Sequence, residues 1–237
     1  MSVTGTERDA AGIRETAARL KRLYTACVYD VMDEMGLPNQ CLDLGIKSFD
    51  ADAQIAGPAY TVMAGPDMRS KDEMPSNPKL DRFGVFERIY EGCAVVVAAA
   101  GERQSGVWGE LMSNASRVKG ATGIVIDGGI RDGRLLREIE GWSVFARYTS
   151  PIESLGRSRI HDLEVPIAMT GTLTSQVRVN PGDWVFGDMD GVLVIPRDAL
   201  DEVLAKSEEA KEIEDKVRAD VRRGVPVADV YDTYGRL

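Results

Sequence analysis

The sequence is poor in the residue types that several common active sites require. It contains a single histidine, His161, and three cysteines that are widely spaced and form no Cys-x-x-Cys motif, Cys27, Cys41 and Cys93. One histidine leaves almost no material for a Ser-His-Asp triad or a multi-histidine metal site. The scattered cysteines predict neither a disulfide framework nor a zinc site, and they favour a reducing, cytoplasmic location.

Long apolar runs and an excess of positive charge are also missing. No stretch reaches about 18 consecutive apolar residues, and the first 24 residues lack the apolar core of a signal peptide, so we expect no membrane span. The chain carries 29 Lys and Arg against 38 Asp and Glu, a net charge of −9. This balance argues against binding of nucleic acid or an anionic membrane surface through a basic patch. Gly-x-Gly-x-x-Gly and P-loop motifs are absent as well.

The 237 residues are enough for one sizeable domain with helical additions. Apolar runs at 93–100 and 122–129 predict fully buried strands and alternate with helical patterns at 82–92 and 109–120. A further helix is expected at 25–38, ending at Gly36, and a surface loop at 66–79, whereas short β-like segments follow Pro151 and include a hairpin at 181–196. We therefore expect an α/β fold with mixed layers. The expected parts are an N-terminal helical arm at 1–24, a main domain at 25–197 and a C-terminal helical extension at 198–237, with Asp198 as the N-cap of the last helix. The three tryptophans are too scattered for a stacking platform, so we expect them to be packing residues.

Glycine and charge are concentrated between residues 101 and 139. Within this segment the chain passes from a glycine-bearing loop into a helix, and Ser105 is a plausible cap. The free amides of Glu110, Leu111 and Met112 would then point toward a cavity and suit an anion such as a carboxylate.

A second glycine-rich stretch, Asp127–Asp132, follows the apolar run that ends at Ile126. Ligands of open α/β sheets gather beyond the carboxyl ends of strands, where this stretch is expected. Arg131 and Asp132 are adjacent, so we expect their side chains to diverge, with the arginine free to hold an anion and the aspartate a divalent cation. The alternative is that Asp132 only caps the following helix and Arg131 makes a surface ion pair. Spacing alone favours that alternative.

Two motifs, WGELMSNASRVKGATGIVIDGGIRD (108–132) and GDWVFGDMDGVLVIP (182–196), together resemble the RraA-like family. The resemblance extends from about Val28 to Pro196. It implies a layered β/β/α sandwich, similar to swivelling domains. The family includes class II pyruvate aldolases that act on 4-hydroxy-4-methyl-2-oxoglutarate and 4-carboxy-4-hydroxy-2-oxoadipate.

The resemblance also implies an activity and roles for particular residues. Asp132 would bear Mg2+ or Mn2+, Arg131 would bind substrate and act in catalysis, and Gly109, Glu110, Leu111 and Met112 would hold the pyruvyl end of a small 2-oxo acid. A 4-hydroxy-2-oxo acid would be cleaved to pyruvate and a 2-oxo acid through a metal-stabilised enolate, and oxaloacetate would be decarboxylated. Homotrimers or homohexamers with sites between subunits are implied too.

Some positions depart from the family pattern, and other functions were considered. Glu110 stands where aldolase members carry an aspartate, and our hypothesis is that it acts as the base, directly or through a bound water. Leu135 stands where an acidic residue is common. The alternative function is a protein-binding regulator of an RNA-degrading endonuclease. A phosphohistidine role would need His161, which lies in a segment that reads as a polar connector.

Overall fold

The computed structural model describes residues 9–74, 83–99 and 102–236. Strands and helices alternate in the middle of the chain, and helices occupy both ends. The strands are β1 (Lys47–Ser48), β2 (Ile55–Pro66), β3 (Ala94–Ala98), β4 (Gly106–Trp108), β5 (Gly123–Ile130), β6 (Ser143–Thr149), β7 (Ser158–Leu163), β8 (Ile167–Thr170), β9 (Gln176–Val179), β10 (Trp184–Gly187) and β11 (Val192–Ile195). The helices are α1 (Ala10–Leu20), α2 (Thr25–Glu34), α3 (Gly84–Glu87), α4 (Glu110–Val118), α5 (Gly133–Leu136), α6 (Leu200–Arg222) and α7 (Val227–Tyr234).

The main sheet has a parallel centre and antiparallel edges. Its strand order is β1-β6-β5-β3-β2-β10-β11, with β4 paired to β5 and β7 paired to β2. Neighbours among β2, β3, β5 and β6 run parallel, whereas β1, β7, β10 and β11 are antiparallel to their partners. Strands β8 and β9 form a separate antiparallel pair. The carboxyl ends of the parallel strands therefore meet at one edge, where Arg131 and Asp132 follow β5.

Alternate residues of the central strands face two different apolar layers. Ile124 and Ile126 of β5 pack in a cluster with residues of α3 and α5, and Val125 packs with Ile167 and Met169 of β8. The sheet thus lies between a helical layer and the β8–β9 pair, which confirms the α/β class and the layered β/β/α sandwich. Strands covered on both faces need apolar side chains at nearly every position, and this explains the continuous runs in the sequence.

The terminal helices pack on the β10–β11 hairpin. Leu20 of α1, Met32 of α2 and Val203 of α6 are buried in one cluster with Trp184 and Phe186 of the hairpin. The division into parts at residues 24 and 197 stays a prediction. No helix in the described part of the chain combines the length and apolar character needed to cross a membrane.

Several local predictions are confirmed and three need correction. The predicted helices at 25–38 and 109–120, and the hairpin at 181–196, are present. Asp198 is not the N-cap of the last helix, because a 3-10 turn at Arg197–Ala199 precedes it and Ala199 takes that position. His161 lies in strand β7, not in a connector. The helical pattern at 82–92 yields only the single turn α3. Of the loop expected at 66–79, residues 75–79 lie outside the described ranges.

Candidate active site

The turn after β5 brings Arg131 and Asp132 together. Asp132 adopts the left-handed backbone conformation, with φ 61° and ψ 33°. This conformation is uncommon outside glycine, although aspartate tolerates it better than most residues, and it reorients the carboxylate relative to a regular strand or helix. Nε of Arg131 consequently lies 3.4 Å from Oδ2 of Asp132. The expected divergence of the two side chains is therefore wrong.

The structure also bears on the helix-cap alternative for Asp132. Its residue position is the N-cap of α5, yet its side chain makes no capping hydrogen bond to that helix. The carboxylate turns instead toward the amino terminus of α4, where the amide of Glu110 lies 3.4 Å from Oδ2. A left-handed non-glycine residue costs about 1–3 kcal/mol, and such residues cluster at active sites and ligand clamps. The arrangement favours a role beyond capping.

Strand β4, which the sequence pattern did not reveal, places α4 beside this pair. The amide of Arg131 donates a 2.9 Å hydrogen bond to the carbonyl of Trp108, the last residue of β4. Gly109 follows in an extended conformation and is the N-cap of α4, so the prediction that Ser105 caps this helix is wrong. Ser105 is fully buried, and its hydroxyl has no hydrogen-bond partner among the described residues.

At the start of α4, the backbone amides rather than the side chains are the groups available to a ligand at the site. The side chain of Leu111 is largely exposed, and that of Met112 packs against the core. Their two amides have no acceptor in the described part of the chain. The carboxylate of Glu110 accepts a hydrogen bond from Asn114 one turn along the helix, so in this conformation it is not directed at Asp132. Its assignment as a base stays a prediction.

Gly109 is closely surrounded by the catalytic candidates. A Cβ at this position would lie 2.7 Å from Oδ2 of Asp132 and 2.8 Å from Cγ of Arg131. Both distances are below van der Waals contact. The absence of a side chain at Gly109 therefore allows the pair to approach the amides of α4.

We predict that Gly109→Ala impairs activity without unfolding the protein. The added methyl group must displace the Asp132 carboxylate or the Arg131 side chain, and displacements near 1 Å cost up to about 100-fold in rate. A lower steady-state kcat together with an unchanged circular dichroism spectrum would confirm this prediction. Gly84→Ala is the matched control, because nothing lies within 4 Å of a Cβ at Gly84. Equal activity of the two variants would contradict the prediction.

An open cavity of about 450 Å3 adjoins the pair. It is lined by Arg131, Asp132, Gly133, Thr149, Ser150 and Pro151. The side chains of Arg131 and Asp132 each retain 35% of their surface exposed to solvent, so a small molecule can reach both. Of the residues predicted to bind substrate, only Arg131 lines this cavity; the α4 residues border the pair through the contacts of Gly109 and Glu110.

The oxygen ligand available at the site, the Asp132 carboxylate, suits a hard cation that binds few protein side chains. Within the residues that the structure describes, no three His, Cys, Asp or Glu side chains are grouped so that they could hold a metal ion. Asp132 would therefore supply a single carboxylate. Mg2+ commonly binds through one or two carboxylates, with water and substrate oxygens filling the remaining positions. The partly exposed ion pair with Arg131 is weak and leaves carboxylate oxygen accessible.

A second polar cluster, which the sequence analysis did not single out, lies on the β8 side of the sheet. Asp127 in β5 is only 4% exposed and pairs with Arg147 of β6. Its Oδ2 accepts hydrogen bonds of 2.7 Å and 2.6 Å from the amide and hydroxyl of Thr170. The sequence gives one sign of this cluster, which is an aspartate inside a buried, otherwise apolar strand. In the fold, that aspartate is on the face of β5 that packs against Ile167 and Met169.

Comparisons with known proteins agree on one family. A family model described as "RraA-like: Aldolase/RraA" matches residues 25–194. A protein of Halalkalibacterium halodurans, named "Putative 4-hydroxy-4-methyl-2-oxoglutarate aldolase", is 30% identical over 203 residues, which cover 84% of this chain and 85% of that protein.

Solved structures show the same fold. A crystal structure described under "novel cellulases from microbes associated with the gut ecosystem" has a TM-score of 0.77 and 32% identity, and the match covers 91% of each chain. RraAS2 of Streptomyces coelicolor, described as an unusual member of the RNase ES inhibitor RraA protein family, has a TM-score of 0.74 and 26% identity, covering 86% of this chain and 97% of that one.

Proposed function

The chain belongs to the RraA-like family, and from that premise we propose that it is a divalent-metal-dependent pyruvate aldolase. It cleaves a 4-hydroxy-2-oxo acid to pyruvate and a second 2-oxo acid, and it decarboxylates oxaloacetate. The observation that carries the proposal is the left-handed Asp132, whose carboxylate lies beside both the Arg131 guanidinium and the first amide of α4. The aldolase name of the relative from Halalkalibacterium halodurans supports the reaction class.

Arg131 would bind the substrate and stabilise the charge that develops during cleavage. Breaking the bond between C3 and C4 of the substrate leaves an electron pair that delocalises onto the keto oxygen of the pyruvyl unit. A guanidinium offers several N–H donors in a fixed plane and stays protonated, so it can hydrogen-bond to that oxygen throughout the reaction. A preorganised donor of this kind contributes about 3 kcal/mol to lowering the barrier.

Asp132 and the α4 amides have separate tasks in this proposal. Asp132 would hold a Mg2+ or Mn2+ ion. When bound, such an ion supplies Lewis-acid stabilisation of negative charge on the keto oxygen. The amides of Leu111 and Met112 stand at the positive end of the α4 dipole and would hold the substrate carboxylate.

Cleavage of the aldol also requires removal of the proton on the C4 hydroxyl, whereas decarboxylation does not. In both reactions C3 of the enolate then takes a proton from water, which gives pyruvate. Glu110 is our candidate for removal of the hydroxyl proton, directly or through a bound water. The reaction would require its carboxylate to turn away from Asn114, which is a rotation of an exposed side chain.

We predict that Glu110→Gln separates the two activities. The glutamine keeps an oxygen that can accept from Asn114 but cannot take a proton, so kcat for aldol cleavage should fall by about 10²- to 10⁴-fold. Oxaloacetate decarboxylation should change by no more than about twofold, since it needs no general base. Pyruvate release from both substrates gives the comparison. The control is Glu138→Gln, whose side chain is 65% exposed. Equal losses in both activities would remove Glu110 from the role of base.

Assembly of the subunits is part of the proposal. Leu111 and Val118 lie seven residues apart on one face of α4, and their side chains are 79% and 86% exposed. Exposed apolar side chains at this spacing form a stripe against which another chain can pack. We expect a homotrimer or homohexamer with sites between subunits, and sedimentation velocity measures this. A monomer at micromolar concentration would contradict it.

The alternative function is regulation of an RNA-degrading endonuclease by protein binding. The description of RraAS2 from Streptomyces coelicolor names such an inhibitor family, at 26% identity to this chain. A docking protein has no need for a left-handed aspartate paired with an arginine at a helix amino terminus. We favour the enzyme for that reason.

One assay tests the proposed function. The purified protein is stripped with EDTA and then supplied with Mg2+ or Mn2+, and pyruvate release is coupled to lactate dehydrogenase. 4-Hydroxy-4-methyl-2-oxoglutarate and oxaloacetate are tested in parallel. Metal-dependent release from both supports the proposal. Release from oxaloacetate alone would confine the chemistry to decarboxylation, and no release from either would reject the pyruvate aldolase.

A further inference from the structure

A second cavity lies on the face of the sheet that packs against β8. It has a volume of about 550 Å3 and is lined by charged and hydroxyl side chains, namely Asp43, Glu102, Arg103, Asp127, Arg147, Tyr148 and Thr170. None of these residues lines the cavity beside Arg131 and Asp132. Asp127 pairs with Ala98, the last residue of β3, and the Glu102–Arg103 segment follows that strand, so the cavity lies near the carboxyl end of β3. Ligands of α/β sheets bind beyond such strand ends.

A network of hydrogen-bonded charges centred on the buried Asp127 lines this cavity. Asp127 accepts hydrogen bonds from Arg147 and from the amide and hydroxyl of Thr170, which leaves it no free oxygen. Arg147 also donates a 2.8 Å hydrogen bond from Nη1 to Oδ1 of Asp43. Burying a charged pair gives little net stability, because desolvation offsets the attraction between the charges. A positioned charge network at a cavity is accordingly a candidate for binding.

Three charged groups at the cavity are wholly or partly without a hydrogen-bond or ion-pair partner in the described part of the chain. Arg103 makes no hydrogen bond or ion pair there. Oδ2 of Asp43 has no partner, since Oδ1 takes the hydrogen bonds from Gly45 and Arg147. Oε2 of Glu102 is likewise unbonded, since Oε1 accepts from the amides of Gln104 and Ser105. The cavity thus offers one free cation and two free carboxylate oxygens.

The charges around the cavity favour a particular class of ligand. Three carboxylates and two guanidinium groups give the lining a net charge of −1. Burial opposes the charged form of Asp43, but hydrogen bonds from Gly45 and Arg147 keep its pKa below the usual value, and the pKa of Arg147 is raised by Asp127 and Asp43 against the effect of burial. A simple anion would add to the negative charge, and a simple cation would leave Arg103 unpaired. A molecule that carries one negative and one positive group can pair with Arg103 and with the free carboxylate oxygens without adding net charge.

We propose that this cavity is a binding site for a free α-amino acid. The carboxylate of the ligand pairs with Arg103 and the remaining nitrogen of Arg147, and its ammonium group pairs with Asp43 and Glu102. The site is separate from the Arg131–Asp132 centre and does not depend on the aldolase reaction.

The test compares each amino acid with its two half-ligands. The twenty amino acids are first screened singly by saturation-transfer NMR on the whole protein. Binding constants are then measured for the tightest binder and for its deaminated and decarboxylated forms; L-serine, 3-hydroxypropanoate and ethanolamine are one such set. Each half-ligand should bind at least about tenfold more weakly, because it lacks a charge-assisted hydrogen-bonding group.

Substitutions identify the cavity as the place of binding. Arg103→Ala and Asp43→Asn change partly exposed side chains and should each weaken binding of the amino acid by about tenfold or more. Arg134→Ala, on α5, should leave it unchanged, and so should Asp132→Asn. The proposal is overturned if no amino acid binds, if a carboxylate alone binds equally well, if the Arg103 and Asp43 variants bind normally, or if Asp132→Asn abolishes binding. None of these outcomes bears on whether pyruvate is released.

Discussion

Arg131→Ala is expected to lower kcat for pyruvate release by about 10²- to 10³-fold, with little change in the free energy of unfolding. The guanidinium is the group assigned to donate hydrogen bonds to the keto oxygen while charge develops, and loss of one such donor typically costs this much. Its only ion pair in the described structure is the partly exposed contact with Asp132 at 3.4 Å. Exposed pairs of this kind contribute about 0–1 kcal/mol to stability.

Two further variants separate charge from geometry at this position. Arg131→Lys keeps the positive charge but loses the planar set of donors, so it should recover only part of the activity. Arg134→Ala removes an arginine three residues later, whose side chain is 89% exposed, and should be active. Kinetics of the three variants against oxaloacetate provide the comparison. An Arg131→Ala enzyme with more than about half of the wild-type kcat would rule out the assigned role.

Asp132→Asn is expected to abolish metal-dependent activity and to weaken Mg2+ binding by about 100-fold or more. Removing partners that only orient a metal ligand already costs about 10- to 100-fold in affinity, and Asp132 is assigned as the ligand itself. Asparagine is well suited to this test. It tolerates the left-handed conformation about as well as aspartate, so the backbone at φ 61° is retained while the charge is lost.

Calorimetric titration with Mg2+ and Mn2+ measures this effect directly. Asp52→Asn, an exposed aspartate in the loop before β2, is the control and should bind metal normally. Thermal unfolding should show that both variants are folded. If Asp132→Asn binds metal as tightly as the wild type, the metal lies elsewhere and Asp132 has another task.

The large features of the fold could be predicted because they depend on apolar patterning. The apolar parts of the runs at 93–100 and 122–129 are strands β3 and β5, since residues covered on both faces must be apolar at almost every position. Helix α2 ends where expected, because Gly36 has a φ of 78° that favours glycine. Buried Trp108 and Trp184 are packing residues, as their scattered positions indicated.

Features that depend on tertiary contacts could not be predicted from the same patterns. Strand β4 has only three residues and is stabilised by pairing with β5. Strand β7 is an edge strand with polar residues on its exposed side, so its sequence resembles a connector. The approach of Arg131 to Asp132 follows from one backbone conformation at Asp132, which residue spacing does not reveal.

The ion pair between the buried Asp127 and the half-buried Arg147 shows the same limit. Each residue by itself is an ordinary charged residue in the sequence, and twenty positions separate them. Only the parallel pairing of β5 with β6, together with the packing of β8 across them, brings their side chains into contact. A charged residue inside an otherwise apolar strand is the one sign that a buried partner exists.

Exchange of the methyl protons of pyruvate in D2O tests the central claim most directly. Enolate formation from pyruvate is the reverse half of the proposed cleavage, and it needs no knowledge of the group at C4. Followed by proton NMR with Mg2+ present, the wild-type protein should catalyse exchange, whereas the EDTA-treated protein, Arg131→Ala and Asp132→Asn should not. Wild-type protein that binds pyruvate and Mg2+ without accelerating exchange, or Asp132→Asn protein that exchanges at the wild-type rate, would contradict the account.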